Sequence, residues 1–502
     1  MNSLHTISRR SLLLGGVAVS GLATVGALGI MSGPAKAVHA VPAQTPLKVP
    51  TQHRGRMIDG VRVYDLAMQS GKTEFFSGVR TPTLGINGSY LGPVLRMRAG
   101  EDVRINVTNG LQEPTTLHWH GFNLPASADG GPHQIINPGA VWSPEFTLRE
   151  KASTMWYHSH LMHKTAEQVW AGLAGMVLID DHESDTLQLP AKYGVDDIPI
   201  VLQDRIFNQK GDMPYNPGMH FKMMGMTGDV PMVNGTVGAF FDVTTEMVRL
   251  RILNGSNGSI YNLGFSDNRR FQQIAGDGGL LAAPVTLSGL RLAPGERAEI
   301  VVSMFPGSTT TLQSRALADN GGMGMTGGGG GPEFDFLELR SADNLKPSAS
   351  VPSTLAALPE IDSGQAVKTR KFVLQMPSMG PGIMLAMARG RAFKINGKSM
   401  DIDVINEVVK RGETEIWEIS NTSMMAHPFH VHNTQFRILY RNGRPPHAGE
   451  AGRKDTVLVN AGETVRIVIR FDHYADPKVP YMYHCHILEH EDGGMMGQFT
   501  VV

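Results

Sequence analysis

The chain has 502 residues, with 45 lysines and arginines against 46 aspartates and glutamates and a formal net charge of −1. Near-neutrality removes the electrostatic case for nucleic-acid binding, and the length is too great for one core, so two to four domains are expected. Hydrophobic content of 41%, with 58 glycines and 30 prolines, suits a globular chain with the many turns of an all-β architecture.

Residues 1–40 read as an export signal. Ser8-Arg9-Arg10-Ser11-Leu12-Leu13 has the form of a twin-arginine targeting motif. The uncharged run from Leu12 to Met31 follows, then small-residue sites at Ala35-Lys36-Ala37 and Val38-His39-Ala40 where cleavage is expected. About twenty uncharged residues suffice to span a bilayer. The glycine and alanine content makes this run weakly apolar, which favours cleavage and a periplasmic, exported protein over stable membrane insertion.

Beyond the leader, one module recurs. Arg98-Ala99-Gly100-Glu101-Asp102-Val103-Arg104-Ile105-Asn106-Val107-Thr108-Asn109 precedes His118, and Lys410-Arg411-Gly412-Glu413-Thr414-Glu415-Ile416-Trp417-Glu418-Ile419-Ser420-Asn421 precedes His427 in the same way. Glu246-Met247-Val248-Arg249-Leu250-Arg251-Ile252-Leu253-Asn254-Gly255 is a third copy with no histidine after it. The turns Asn137-Pro138-Gly139, Ala293-Pro294-Gly295-Glu296 and Asn460-Ala461-Gly462-Glu463 each introduce a strand-like run. Val103, Ile105 and Val107 share one face of a strand, as do Val465, Ile467 and Ile469. The pattern predicts three antiparallel β-sandwiches over residues 45–185, 195–340 and 368–502, with 341–369, rich in Ser, Pro and Ala, as a linker.

Four histidine clusters punctuate the first and third modules: His118-Trp119-His120, His158-Ser159-His160, His427-Pro428-Phe429-His430-Val431-His432, and His484-Cys485-His486 with His490. They hold 10 of the 19 histidines and the only cysteine, so no internal disulfide is available and Cys485 is free for chemistry. In a strand, residues i and i+2 project from one face and i+1 from the other. His484 and His486 therefore face one site and Cys485 another, about 10 Å apart across one backbone. Cys485 with His427 and His490 makes a His-His-Cys set, with Met495 as weak axial ligand and Met496 an alternative, as in a blue copper site. The other eight histidines form four pairs, two from each outer module. They predict a three-copper cluster between those modules, with the middle module as spacer.

In type, order and spacing these motifs resemble those of the multicopper oxidases, the laccase-like family of three tandem cupredoxin (Greek-key β-sandwich) domains. Met425-Ala426-His427-Pro428-Phe429-His430-Val431-His432 and Leu488-Glu489-His490-Glu491-Asp492 most resemble the bacterial periplasmic copper efflux oxidases. The resemblance implies four copper ions. It assigns a type 1 copper to His427, Cys485, His490 and Met495, and a type 2 copper to His118 and His430. It gives the type 3 pair to His120, His158, His160, His432, His484 and His486. It also implies one-electron oxidation of a reductant at the type 1 copper, electron passage through Cys485, and reduction of dioxygen to two waters. Asp129 and Glu491 match the family's acidic residues near the cluster and are expected to relay protons.

The reductant is less clearly written. Among 28 methionines, Met376, Met379 and Met425 are candidates to pass Cu(I) to the type 1 site, since thioethers suit cuprous ions. Core filling is the ordinary role of methionine. Two departures from the efflux oxidases weigh against a dedicated cuprous site: Ser423 replaces an aspartate, and the segment from Met376 to Lys394 is shorter than the family's methionine-rich insert. The expectation is a monomeric cuprous oxidase with laccase-like activity in copper tolerance. The alternative is a laccase or bilirubin oxidase acting on phenols, aromatic amines or tetrapyrroles. A non-catalytic scaffold like the related division proteins is disfavoured, because those lack the ligands present here.

Overall fold

The alternation in the sequence repeats becomes three two-sheet sandwiches in the computed structural model, which describes residues 44–316, 331–377, 380 and 382–502. The export segment 1–40 and the methionine candidate Met379 lie outside the described residues. In the strand Asp102–Asn109, Val103, Ile105 and Val107 are buried and alternate with more accessible residues. Thr414–Asn421 shows the same alternation in the third module. The middle copy, Met247–Asn254, is buried on both faces because the first module packs against it.

The sheets are mixed rather than purely antiparallel. Val61–Met68 runs parallel to Asp102–Asn109, Asp197–Leu202 to Met247–Asn254, and Ala366–Leu374 to Thr414–Asn421. A parallel pair needs a long connection, and in each module the chain supplies it by crossing to the opposite sheet and back. Hydrophobic periodicity reports which face is buried and carries no information about strand direction, so this feature was not readable from it.

Two edges of the expected modules are drawn differently by pairing. Thr45–Pro46 joins Ala239–Phe240 of the middle module, and the strand Phe334–Lys346 carries that module's sheet five residues past Ser341. Each sandwich has its own core, centred on Trp119 and Tyr157, on Tyr261 and Phe265, and on Trp417 and Phe429. Between the first two modules lies a buried ion network. Arg251 grips Asp197 with Nε–Oδ1 at 2.6 Å and Nη2–Oδ2 at 3.0 Å, and reaches Glu299 Oε1 at 3.0 Å. Thr154 Oγ1 of the first module donates to the same Glu299 oxygen at 2.7 Å. Fully desolvated charges are tolerated only with such satisfied geometry, so this network fixes one docking of the two modules.

Candidate metal centre

Cross-strand register builds the site. In the first module His118–His120 pairs with Ser153–His158 so that His118 faces His158 and Trp119 faces Tyr157. In the third module His427–Val431 pairs with Asp476–Cys485 so that His430 faces His484 and Phe429 faces Cys485. Residues directly opposite in an antiparallel pair hold their Cβ atoms about 5 Å apart, so each register match presents two imidazoles side by side. The two histidine faces meet between the outer modules. His118 stacks on His432 with ring centroids 3.9 Å apart, and His120 on His430 at 3.7 Å. All eight rings are buried.

Most of these rings have one nitrogen committed to an acceptor. Carbonyl oxygens only accept, so the ring must donate there, which leaves the other nitrogen bare. His118 Nδ1 donates to Asp129 O at 2.9 Å, His158 Nδ1 to Ser159 O at 2.8 Å, and His430 Nδ1 to Asp455 O at 2.8 Å. The opposite Nε2 atoms of these three rings are buried without a hydrogen-bond partner, as are His120 Nδ1 and both nitrogens of His486. Nε2 of His484 approaches Nε2 of His160 and of His432, each at 3.2 Å. A buried nitrogen left unsatisfied costs about 1–3 kcal/mol, and converging bare lone pairs are what a soft or borderline cation repays. The donor set fits copper.

On the other face of the strand, Cys485 Sγ lies 3.5 Å from His427 Nδ1 and 3.7 Å from His490 Nδ1, and those nitrogens are 3.3 Å apart. The far side of each ring is held: His427 Nε2 by Ser423 Oγ at 2.8 Å, His490 Nε2 by the Met223 carbonyl at 2.9 Å. Met495 packs in the same core as Cys485, whereas Met496 packs with Met400 and Met482 elsewhere, so position separates the two thioethers. Burial pushes the Cys485 thiol above its usual range, and a bound cation is what would make it a thiolate.

The two acidic candidates are both inside. Asp129 Oδ2 accepts from His432 Nδ1 at 2.8 Å and joins the outer modules. Its turn requires a left-handed Gly130, where a Cβ would stand 1.8 Å from Leu117 O. Burial opposes ionisation of Asp129, but the rings of His432 and His118 outweigh it and hold the carboxyl well below the usual range. Glu491 has its oxygens 3.3 Å from His160 Nδ1 and 3.2 Å from His484 Nδ1, and burial holds its carboxyl far above the usual range. Of the methionine candidates, Met425 is buried in the core beside Cys485 and Met376 packs on its edge.

Several partners of the site were missed by sequence reasoning. They are Ser423 as partner of His427, the Met223 carbonyl, Asp455, which bonds His120, and Arg297, which bonds Asp455. Glu489 was missed too: it accepts from Met226 N and Asn257 Nδ2 of the middle module at 2.8 and 2.9 Å. Met223, Asp455, Arg297 and the partners of Glu489 carry no spacing signal because they act from distant parts of the chain, whereas Ser423 lies four residues before His427 and its role depends on how that ring is turned. The middle module also closes on the cluster directly: Gly295, with positive φ, lies so close that a Cβ would sit 2.9 Å from the His486 ring.

An all-β fold of three tandem sandwiches, with a cysteine-containing and a histidine-only donor set meeting back to back at His484-Cys485-His486, defines a protein of the cupredoxin class whose donors suit copper. The multicopper oxidase family pattern matches residues 67–184 and 374–502. The chain is 35% identical over 447 residues to the multicopper oxidase mco of Staphylococcus haemolyticus, covering 88% of this chain and 89% of that protein. It is 34% identical over 479 residues to the cell division protein FtsP of Salmonella typhimurium, covering 92% and 94%. Among solved structures, the laccase-like multicopper oxidase CueO of Ochrobactrum sp., with oxidase activity towards lignin model compounds, superposes with a TM-score of 0.83. That match has 38% identity and covers 91% of this chain and 100% of that one. The chain belongs to the multicopper oxidase family and is an oxygen-dependent copper oxidoreductase.

The imidazoles dictate how the metal-free protein responds to acid. Burial, reinforced by neighbouring rings, holds His120, His158, His160, His430 and His484 well below the ordinary value of 6.5. Burial brings His432 to about 4, His486 to about 3 and His490 to about 4. These rings are neutral when folded but take up protons below 6.5 when unfolded. Their stabilisation is therefore complete above 6.5 and is lost as pH falls towards 4–3, at about 1.4 kcal/mol per pH unit per proton. The urea midpoint of copper-free protein is expected to drop clearly between pH 7.5 and pH 5; equal midpoints would contradict the buried neutral cluster.

Proposed function

We propose that the two donor sets hold four copper ions and serve an exported, periplasmic enzyme that oxidises cuprous ions and small aromatic reductants in copper tolerance. The type 1 ion would be held by His427, Cys485, His490 and Met495, the type 2 ion by His118 and His430. The type 3 pair would be held by His120, His158, His160, His432, His484 and His486. The observation that carries this reading is the pair of donor sets back to back on His484-Cys485-His486. Each set is completed within one chain, which supports a monomer as the working unit. Among the described residues no helix is long and apolar enough to cross a membrane, and the twin-arginine motif at Arg9-Arg10 supports export.

Bound copper supplies one-electron oxidation at the sulfur-ligated centre and four-electron reduction of dioxygen to two waters at the cluster. The chain provides the rest. Cys485 links the two centres through its own backbone to His484 and His486. Glu491, whose carboxyl burial pushes above its usual range, is placed to hand a proton on beside His160 Nδ1 and His484 Nδ1. Asp129, kept ionised, accepts from His432 and supplies the second station for protons. Trp156 stacks on His158 at 4.1 Å and helps to keep bulk water away.

Methionines favour cuprous ions as reductant: Met219, Met223, Met224, Met376 and Met387 all pack against the core that contains Cys485. One observation favours the aromatic reading as well. The group on His427 Nε2 is the neutral hydroxyl of Ser423 rather than a carboxylate.

Two measurements test the reading. Glu491→Gln and Asp129→Asn are expected to keep the blue colour and slow oxygen consumption by roughly 10²-fold, within the usual range for a lost proton-transfer group; undiminished oxygen consumption in both would remove the relay role. Steady-state kinetics on Cu(I) and on a phenol, with and without added Cu(II), separate the reductants. Faster turnover of Cu(I) and stimulation by Cu(II) are expected, whereas rapid phenol oxidation indifferent to copper would replace the copper-tolerance role by a laccase role.

A further inference from the structure

Asp455 and Arg297 form a fully buried ion pair at the junction of all three modules. Asp455 belongs to the third module, Arg297 to the second, and both are fully buried. The guanidinium takes the carboxylate in a two-pronged grip, Nη1–Oδ1 at 2.8 Å and Nη2–Oδ2 at 2.5 Å. Its remaining donors are spent on the carbonyls of Thr154, Gly295 and Asp277. On the other side, Asp455 Oδ1 accepts from His120 Nε2 of the first module at 2.9 Å and from Thr456 Oγ1 at 2.9 Å. The packing admits no slack: at Gly121 a Cβ would stand 2.7 Å from Asp455 Oδ2 and 2.9 Å from Arg297 Nη2.

This arrangement sets His120 apart from the three rings held by backbone carbonyls. His118, His158 and His430 leave Nε2 bare, whereas His120 has Nε2 occupied and Nδ1 bare. Asp455 is close enough to His120 and His430 to act as a ligand itself. Its oxygens already receive four donors, however, which leaves it a partner of ligands. Carboxylates that accept from the distal nitrogen of a metal-binding histidine set its tautomer and orientation, and their loss costs roughly 10–100-fold in metal affinity or activity.

We propose that Asp455 and Arg297 are positioning residues for the histidine cluster: the carboxylate turns His120 so that Nδ1 faces the metals, and the ligand-free second module fixes that carboxylate through Arg297. The proposal rests on the reading that the cluster holds copper. Under it, the middle module sets the occupancy of a cluster to which it contributes no ligand. Asp277 and Glu296 extend the clamp, meeting Lys454 Nζ at 2.9 and 3.1 Å, while Asp277 Oδ1 accepts from Arg297 N at 2.8 Å.

The test uses full-length copper-loaded protein and two variants, Asp455→Asn and Arg297→Lys. Copper per chain, the blue absorption of the Cys485 centre and the electron paramagnetic resonance signal are measured on each. Unmodified protein with four coppers and a blue band establishes the underlying reading; without those, that reading fails independently of the variants. Asp455→Asn is expected to keep the blue band, lose at least one copper or expose uncoupled Cu(II), and consume oxygen at least about tenfold more slowly. Arg297→Lys keeps the charge but loses the fork and is expected to shift the same readouts in the same direction by less. Four coppers with an unchanged resonance signal in both variants would overturn the proposal. So would a blue band that falls in step with the cluster signal in both, since that marks a general structural role.

Discussion

A β-strand sends successive side chains to opposite faces, and His484-Cys485-His486 turns that rule into a link between two donor sets. The strand Asp476–Cys485 pairs with His427–Val431, and just past its end His486 N still donates to Pro428 O at 2.7 Å, so the alternation holds through all three residues. A one-residue slip in this register would exchange the faces, putting sulfur into the histidine cluster and imidazoles into the apolar core. Phe429 opposite Cys485, and His430 opposite His484, are what forbid it. The apolar residues around Cys485, among them Phe429, Ile487 and Met495, lock the register from the sulfur side.

The cluster is expensive to assemble without metal. Its rings are buried, several with a bare nitrogen, and burial keeps them neutral. The surrounding chain compensates by fixing the far side of the rings with carbonyls and carboxylates contributed by the first and third modules, and by clamping those acceptors in turn. Asp129 and Asp455 do this in related ways, each bonding one histidine through its side chain and another through its backbone carbonyl: Asp129 bonds His432 and His118, Asp455 bonds His120 and His430. The cluster is therefore a property of how the modules dock. The Met223 carbonyl on His490 and the Glu489 contacts extend this to the sulfur-containing site.

Much of this was legible in the sequence because ligand chemistry and strand periodicity are local. The His-x-His pairs, the single cysteine and the repeated strand before His118 and His427 give the fold class and both donor sets. The sequence could not separate Met495 from Met496; packing separates them, with Met495 beside Cys485 and Met496 turned towards Met400 and Met482. The parallel pairings and the strand running to Lys346 were not legible, since periodicity does not encode direction or partner. Asp455, Arg297 and Ser423 escaped for a related reason. Their meaning lies in contacts across modules or with a ring whose orientation only the fold decides, and Ser423 reads in sequence simply as a missing carboxylate.

The central claim is that one short stretch of strand serves a sulfur-ligated copper on one face and a three-copper cluster on the other. Anomalous X-ray scattering at the copper edge from crystals of the copper-loaded protein tests it most directly. The account predicts four peaks: one bounded by Cys485 Sγ, His427 Nδ1 and His490 Nδ1, and three among the eight histidines of the cluster. A sulfur site without a peak, or fewer than three peaks among those histidines in fully loaded protein, would contradict it.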